Sequence, residues 1–349
     1  MVKKENFSTW QIAATYIGTM VGAGFASGQE TLQFFSSYGT QGLWGILLAT
    51  FGFGFFGMLV MRFAWQINAS SHAALFRLLF GPLLGSFLDW LLNAFLFSTL
   101  LIMLAASGAV FEEHLGLSRW WGILLAALLA LLVLFFGVRG ILAANAWLVP
   151  LLILMVLGIS LYSLFYHGLS WEVMAQPPAS PGVAPHWLLA SLLYLSYNLI
   201  LSATILAPLG GQSQKSSPLY LGAWLGALGI GLLTVLIALV VLVHFPQILD
   251  FEIPILYIVK PHPFFIRLIV ILVLWTEIFT TMIANLFGLA VRLQDKWGKP
   301  PLFWSFILLA AAILFSHYPF SLLVETLYPL LGYAGLAFLL ALSYHFLKN

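Results

Sequence analysis

No cysteine occurs in the 349 residues, which excludes disulfides, thiolate metal sites and cysteine nucleophiles. Charge is scarce as well: Asp, Glu, Lys and Arg make up 7% of the chain, against about 25% in soluble domains. With 13 Lys and Arg against 11 Asp and Glu, the net charge of +2 says little about a partner. The eight histidines avoid the centres of the apolar runs, and none stands four residues from another. Haem and paired-histidine metal sites therefore lack their ligands. Neither a His-Glu-x-x-His nor a Gly-x-Ser-x-Gly run is present, so the motifs of a zinc protease and of a serine hydrolase are missing. No enzyme, no organic cofactor and no nucleic-acid partner are expected.

What fills the chain instead is apolar. Hydrophobic residues make up 62%, and 13 Trp, 12 Tyr and 30 Phe suit interfacial belts and lipid-facing surface. A helix needs about 20 apolar residues to cross the hydrocarbon. On that scale the chain predicts an all-α polytopic membrane protein, one transmembrane domain of ten helices. The spans lie near 8–35, 42–66, 84–111, 119–137, 141–166, 187–209, 219–244, 264–293, 301–316 and 320–346. Two stretches, Ser70 to Phe80 and Ile253 to Val259, are too short to cross and belong at the surface. With the N-terminus inside, every Lys and Arg but Arg119, Lys260 and Arg267 falls on the inner side. The positive-inside rule then places both termini in the cytoplasm, with the chain in the cell (inner) membrane.

The spans of the two halves start at nearly constant offset, and they match in character. The second and seventh are punctuated by glycine, the third and eighth are long, the fourth and ninth short. Five spans per half is an odd number, so residues 1–166 and 185–349 would lie inverted in the bilayer. Inverted repeats are a transporter signature, with the binding site between the repeats. Glycines serving only close helix packing are the plainer alternative.

The run Gly18-Thr19-Met20-Val21-Gly22-Ala23-Gly24 sits inside the first span. Each glycine weakens a helix by about 1 kcal/mol relative to alanine, so a break is expected near Gly22. Freed peptide groups are tolerated at that depth only inside protein or beside water. The matching stretch of the sixth span is polar, with Tyr197, Asn198 and Ser202, and a second break is expected there. Asn198 and Ser202 could instead bond neighbouring helices. A broken helix offers N–H groups to an anion and carbonyls to a cation. An α-amino acid carries both charges and fits without any charged side chain. Thr19, Gly22, Ala23 and Gly24, with Tyr197, Asn198 and Ser202, are the candidate substrate residues, the N–H groups of Ala23 and Gly24 facing the carboxylate.

Thr280 and Thr281 form a hydroxyl pair near the centre of the eighth span. Either hydroxyl could simply bond back to a carbonyl one turn earlier. Glu277 precedes them by one turn, and an intramembrane carboxylate, costing about 2.5–3.5 kcal/mol, marks function by default. Glu30 at the outer end of the first span and Glu325 in the tenth are weaker candidates for a coupling carboxylate.

The run Met20 to Phe25 and the polar sixth span resemble the amino acid–polyamine–organocation superfamily, with its LeuT-type five-plus-five fold. More narrowly, Tyr16-Ile17-Gly18-Thr19 through Gly28-Gln29-Glu30, with Tyr197-Asn198, is similar to the YkvI-like bacterial membrane proteins, a group described as amino-acid permeases. The resemblance implies one sodium between the broken first helix and the eighth. Gly18, Val21 and Glu277 would give carbonyls, Thr280 and Thr281 hydroxyls. A second sodium site of some relatives needs an amide where this chain has Phe25, and a proton-coupled variant needs a lysine that residues 141–166 lack. The function implied is sodium-coupled symport of an amino acid or similar zwitterion by alternating access. The spans 1, 2, 6 and 7 would rock against 3, 4, 8 and 9. A proton-coupled permease and an amino-acid-sensing receptor on the same fold are the alternatives; a channel is disfavoured.

Overall fold

The computed structural model describes residues 4–136, 139–168 and 182–348, with side chains at all of these except 136 and 139–148. Lys3 and the Arg139 side chain, both counted on the inner side, lie outside the described residues. The elements are α1 (Thr9–Met20), α2 (Ala23–Ala26), α3 (Gln29–Phe34), α4 (Thr40–Gln66), α5 (His72–Leu115), α6 (Arg119–Phe136) and α7 (Arg139–His167). After these come α8 (Trp187–Gln212), α9 (Ser217–Val243), α10 (Pro254–Val259), α11 (Phe264–Trp297), α12 (Pro301–Phe315) and α13 (Phe320–Lys348). Among the described residues, seven helices are long and apolar enough to cross a membrane. The helices α6 and α12 are apolar but shorter.

Local chemistry sets several boundaries. Ser8 caps α1 in a reciprocal capping box with Gln11, which satisfies two donors that the first turn leaves open. Proline opens α10 and α12, where its missing N–H is no loss. The predicted surface stretch 70–80 is helical and runs on into the third span. It turns at Gly81, whose φ of 76° is accessible to glycine at little cost, just before Pro82.

Glycines on α4 and α9 let α1, α4, α8 and α9 pack backbone to side chain. Tyr16 of α1 lies between Gly57 and Gly226: a methyl on either would sit within 3.0 Å of its ring or hydroxyl. The Tyr16 hydroxyl donates to the Phe53 carbonyl at 3.0 Å. Leu195 of α8 fills the space left by Gly52, and Thr50 that left by Gly231. A second group forms around α5, which packs on α6 and α11, with α12 against α11. The helix α13 rides on α8, where Ser196 donates to the Gly332 carbonyl at 2.6 Å.

Ion pairs tie the loops at both ends. Arg119 meets Glu112 at 3.0 Å and Glu252 at 2.7 Å, and Glu252 also accepts from the Phe320 N–H. At the opposite end of α5, Arg292 of α11 pairs with Asp89 at 3.4 Å and also reaches Asn93 at 2.6 Å and His72 at 2.9 Å. That contact pins the 72–80 helix against the second group.

Candidate functional site

Helix α1 stops at Met20. Val21 (φ −83°, ψ 85°) and Gly22 (φ −112°, ψ −172°) are both non-helical, and the chain re-enters helix at Ala23. Val21 N–H still donates to the Ile17 carbonyl, but Gly22 N–H turns to that of Met20. The carbonyls of Gly18, Thr19 and Val21, and the N–H groups of Ala23, Gly24 and Phe25, take no backbone hydrogen bond among the described residues. In a regular helix the Thr19 carbonyl would have paired with Ala23 N–H and that of Val21 with Phe25 N–H.

A further interruption follows four residues on, which the glycine run did not announce. Gly28 has φ 81°, in the region that L side chains avoid. Ser27 holds this corner together: its hydroxyl donates to the Gly24 carbonyl at 2.7 Å and accepts from Gln29 N–H at 3.1 Å. Its carbonyl accepts from Ile255 N–H at 3.0 Å, so α10 is seated on the corner, with Pro254 against Gly28.

All six residues of α3 are buried, including Glu30, and the fold-back carries that carboxyl to the break. A methyl on Gly24 would collide with the Glu30 carboxyl group and come within 3.2 Å of the Tyr328 hydroxyl. The other Glu30 oxygen accepts from the Tyr197 hydroxyl at 2.6 Å. Tyr197 and Tyr328 stack, their ring centres 4.9 Å apart at 21°, and Phe34 closes on Tyr197 at 5.5 Å. Glu30, read as lying at the outer end of the span, is thus drawn back into its centre of chemistry. The sequence does little to mark Tyr328. Its one signal is Pro329 beside it, a proline inside an apolar span.

From the other side α11 packs against α2. Thr281 faces the break: a methyl on Gly22 would lie 3.8 Å from its Oγ1. Adjacent residues on a helix point about 100° apart, so Thr280 cannot share that direction. Its hydroxyl donates to the Glu277 carbonyl at 3.2 Å, the back-bond that competes with ion binding. Gly18 turns towards Val149 of α7. Of the five implied sodium ligands, then, Thr281 stands at the break, Gly18 and Val21 have open carbonyls, and Thr280 and Glu277 are bonded to each other. The Glu277 carboxyl is buried, and its Oε2 has no hydrogen-bond partner among the described residues.

The sixth span corrects an expectation. The helix α8 runs unbroken from Trp187 to Gln212. Its polar residues satisfy themselves within the helix: Asn198 donates to the Tyr194 carbonyl at 3.1 Å and Ser202 to that of Leu199 at 3.0 Å. Thr19 does the same in α1, donating to Thr15 at 2.7 Å. Such back-bonds let Ser, Thr and Asn sit in an apolar helix without opening it. Glu325 is exposed on α13, apart from the other carboxylates, and does not join the site.

No protein-family model matches the chain. It is 33% identical over 345 residues to the uncharacterised membrane protein YkvI of Bacillus subtilis (strain 168), covering 98% of this chain and 97% of that protein. It is 30% identical over 329 residues to the protein YyaD of the same organism, covering 93% of each. Among solved structures it resembles MhsT in complex with L-phenylalanine, with a TM-score of 0.63 and 17% identity over 90% of this chain and 80% of that one. A Na+-coupled sialic acid symporter in its outward-open state follows at 0.62 and 14%, over 91% and 72%. The nucleobase-cation-symport transporter Mhp1 gives 0.60 and 13%, over 89% and 72%. The chain belongs to the YkvI-like family of membrane proteins, and its fold is that of the LeuT-type transporters.

Proposed function

We propose that this protein is a secondary transporter that carries a small zwitterion, an amino acid or close relative, together with sodium by alternating access. The observation that carries the reading is the interrupted first span. Bare carbonyls and N–H groups between Met20 and Ala23 lie between a hydroxyl, Thr281, and a buried carboxyl, Glu30. Exposed peptide groups at this depth need a solute or protein partner, and a broken helix is where such folds hold one. Solved proteins of this fold include one holding L-phenylalanine and one coupled to Na+, which supports both halves of the proposal.

Counting α1 to α3 as one broken span, together with the short α6 and α12, gives ten spans in two inverted halves, 1–166 and 185–349. Both termini are then cytoplasmic and the protein lies in the cell membrane. Substrate sits between Thr19 to Gly24 and Tyr197, with Asn198 and Ser202 behind. Sodium lies among Gly18, Val21 and Thr281, with Glu277 and Thr280 adjoining. The glycine-packed group of α1, α4, α8 and α9 is the moving body. Two buried carboxyls, Glu30 and Glu277, favour protons as the competing choice of coupling ion.

Counterflow in proteoliposomes tests the proposal. Vesicles loaded with amino acids should accumulate the labelled amino acid that binds, and external sodium should stimulate the exchange. Binding without exchange would leave a sensor on the same fold. Exchange driven by pH and indifferent to sodium would move the coupling to the carboxyls.

A further inference from the structure

Resting on that transporter reading, we propose that Glu30 and Tyr328 form the subsite for a substrate ammonium group, beside Gly24. The substrate class is thereby narrowed to amine-bearing solutes, and the carboxylate of a zwitterion must point away from this side of the break.

The argument starts from which hydrogen-bonding atoms meet there. Tyr197 satisfies one oxygen of Glu30 at 2.6 Å; the other lies against Gly24, in the place a side chain there would take, with the Tyr328 hydroxyl beside it. Any side chain at position 24 would displace the carboxyl. Glu30 is 6% exposed, Tyr197 1% and Tyr328 3%, so little water reaches the carboxyl. A buried carboxylate with one oxygen unpaired is unfavourable until a positive group reaches it. The open carbonyl of Thr19, in the same broken span, is an acceptor too. Acceptors of this number suit an ammonium, which brings three donors and a positive charge. A hydroxyl brings one donor and no charge, and a carboxylate would meet Glu30 as a like charge.

The test is ligand-induced thermal stabilisation and equilibrium binding with the full-length protein in nanodiscs. The probes are the common amino acids, each beside its 2-hydroxy acid and its decarboxylated amine, with and without sodium. The expected result is that an amine-bearing compound binds while its hydroxy-acid counterpart binds at least tenfold more weakly. Glu30→Gln should lower the amine's affinity tenfold or more and leave the hydroxy acid unchanged, and Tyr328→Phe should lower it about threefold, the loss of one acceptor. Should Glu30→Gln fail to fold, the wild-type analogue series and Tyr328→Phe decide the matter. Equal binding of amine and hydroxy acid, full amine affinity in a folded Glu30→Gln protein, or no binding by any amine overturns the subsite. Loss of sodium dependence alone in Glu30→Gln also overturns it, assigning the carboxyl to a metal cation. Amine-dependent binding with no counterflow would end the transport reading and keep the subsite. Counterflow of a solute without an amine would do the reverse.

Discussion

The first and sixth spans hold matching places in the two halves of the chain, yet one is cut twice and the other runs straight through. Both carry the residues that discourage helix: glycines in the first, Asn198, Ser196 and Ser202 in the sixth. The difference lies in where the hydrogen bonds can go. A glycine removes a side chain and weakens helix without supplying a partner, so opening the helix at Val21 and Gly22 frees peptide groups to an outside occupant. A serine or asparagine brings its own donor and spends it on a carbonyl of its own helix, which keeps the backbone closed. The interrupted span is also gripped from outside. Glu30 is held by Tyr197, and Ser27 by its own corner and by Ile255. Continuous α8 is thus the wall that fixes Tyr197 in place, and the broken span is the part that carries open peptide groups.

The contrast breaks most completely at Gly24. Gly24→Val puts a branched side chain into the space shared by the Glu30 carboxyl and the Tyr328 hydroxyl. Overpacking of this kind costs about 1–3 kcal/mol, and here the strain falls on the site itself. Substrate binding should be lost, a drop of more than a hundredfold in affinity measured with the protein still monodisperse. Unchanged affinity would show that the substrate does not approach this part of the span.

Next in size is the one side-chain bond that joins the two spans. Tyr197→Phe removes the donor to Glu30 and leaves a buried carboxyl oxygen without its partner. Hydrogen bonds to charged groups are worth about 1.5–3 kcal/mol, and that loss should appear as a lowered unfolding midpoint in nanodiscs. The corresponding change on the ring beside it, Tyr194→Phe, removes a tyrosine hydroxyl of α8 that is held by neutral Thr234 instead. Equal effects from the two would mean the Tyr197–Glu30 bond weighs no more than that neutral contact.

On the opposite side of the break the neighbouring threonines of α11 offer a sharper pair. Thr281 faces Gly22, whereas the Thr280 hydroxyl is spent on the Glu277 carbonyl. Thr281→Ala should weaken sodium-stimulated binding about tenfold, the equivalent of 1.4 kcal/mol, and Thr280→Ala much less. The reverse order would place the cation on the other face of α11.

Much of this was legible before any coordinates. The glycine run foretold a break within two residues of where it falls, because the first span has no proline and each of its clustered glycines weakens the helix by about 1 kcal/mol. The glycine punctuation of α4 and α9 foretold their close packing, because a missing side chain leaves room for one partner, as at Gly57 and Gly226 around Tyr16. Long-range placement was not legible. That Glu30 folds back over Gly24 depends on the corner at Ser27 and Gly28, which in turn depends on α10, more than 200 residues further along the chain. Tyr328 arrives from α13 by the same kind of tertiary choice. The break assigned to the sixth span failed for a local reason: polarity was read as irregularity, while the side chains concerned were satisfied one turn back.

The smallest effect is expected where the sixth span looked most promising. Asn198 is buried and polar, and in isolation it reads as a substrate ligand; its amide nitrogen, however, is already bound to the Tyr194 carbonyl at 3.1 Å. Asn198→Ala removes a bond internal to α8 and frees no group at the break. The affinity for substrate should change less than about threefold, or roughly 0.7 kcal/mol, measured in the same nanodisc assay as Gly24→Val. A loss as large as that of the glycine variant would mean that the Asn198 side chain leaves Tyr194 when substrate is bound. The sixth span would then be a second contact surface, opened by the ligand, and the asymmetry between the two halves would not survive substrate binding.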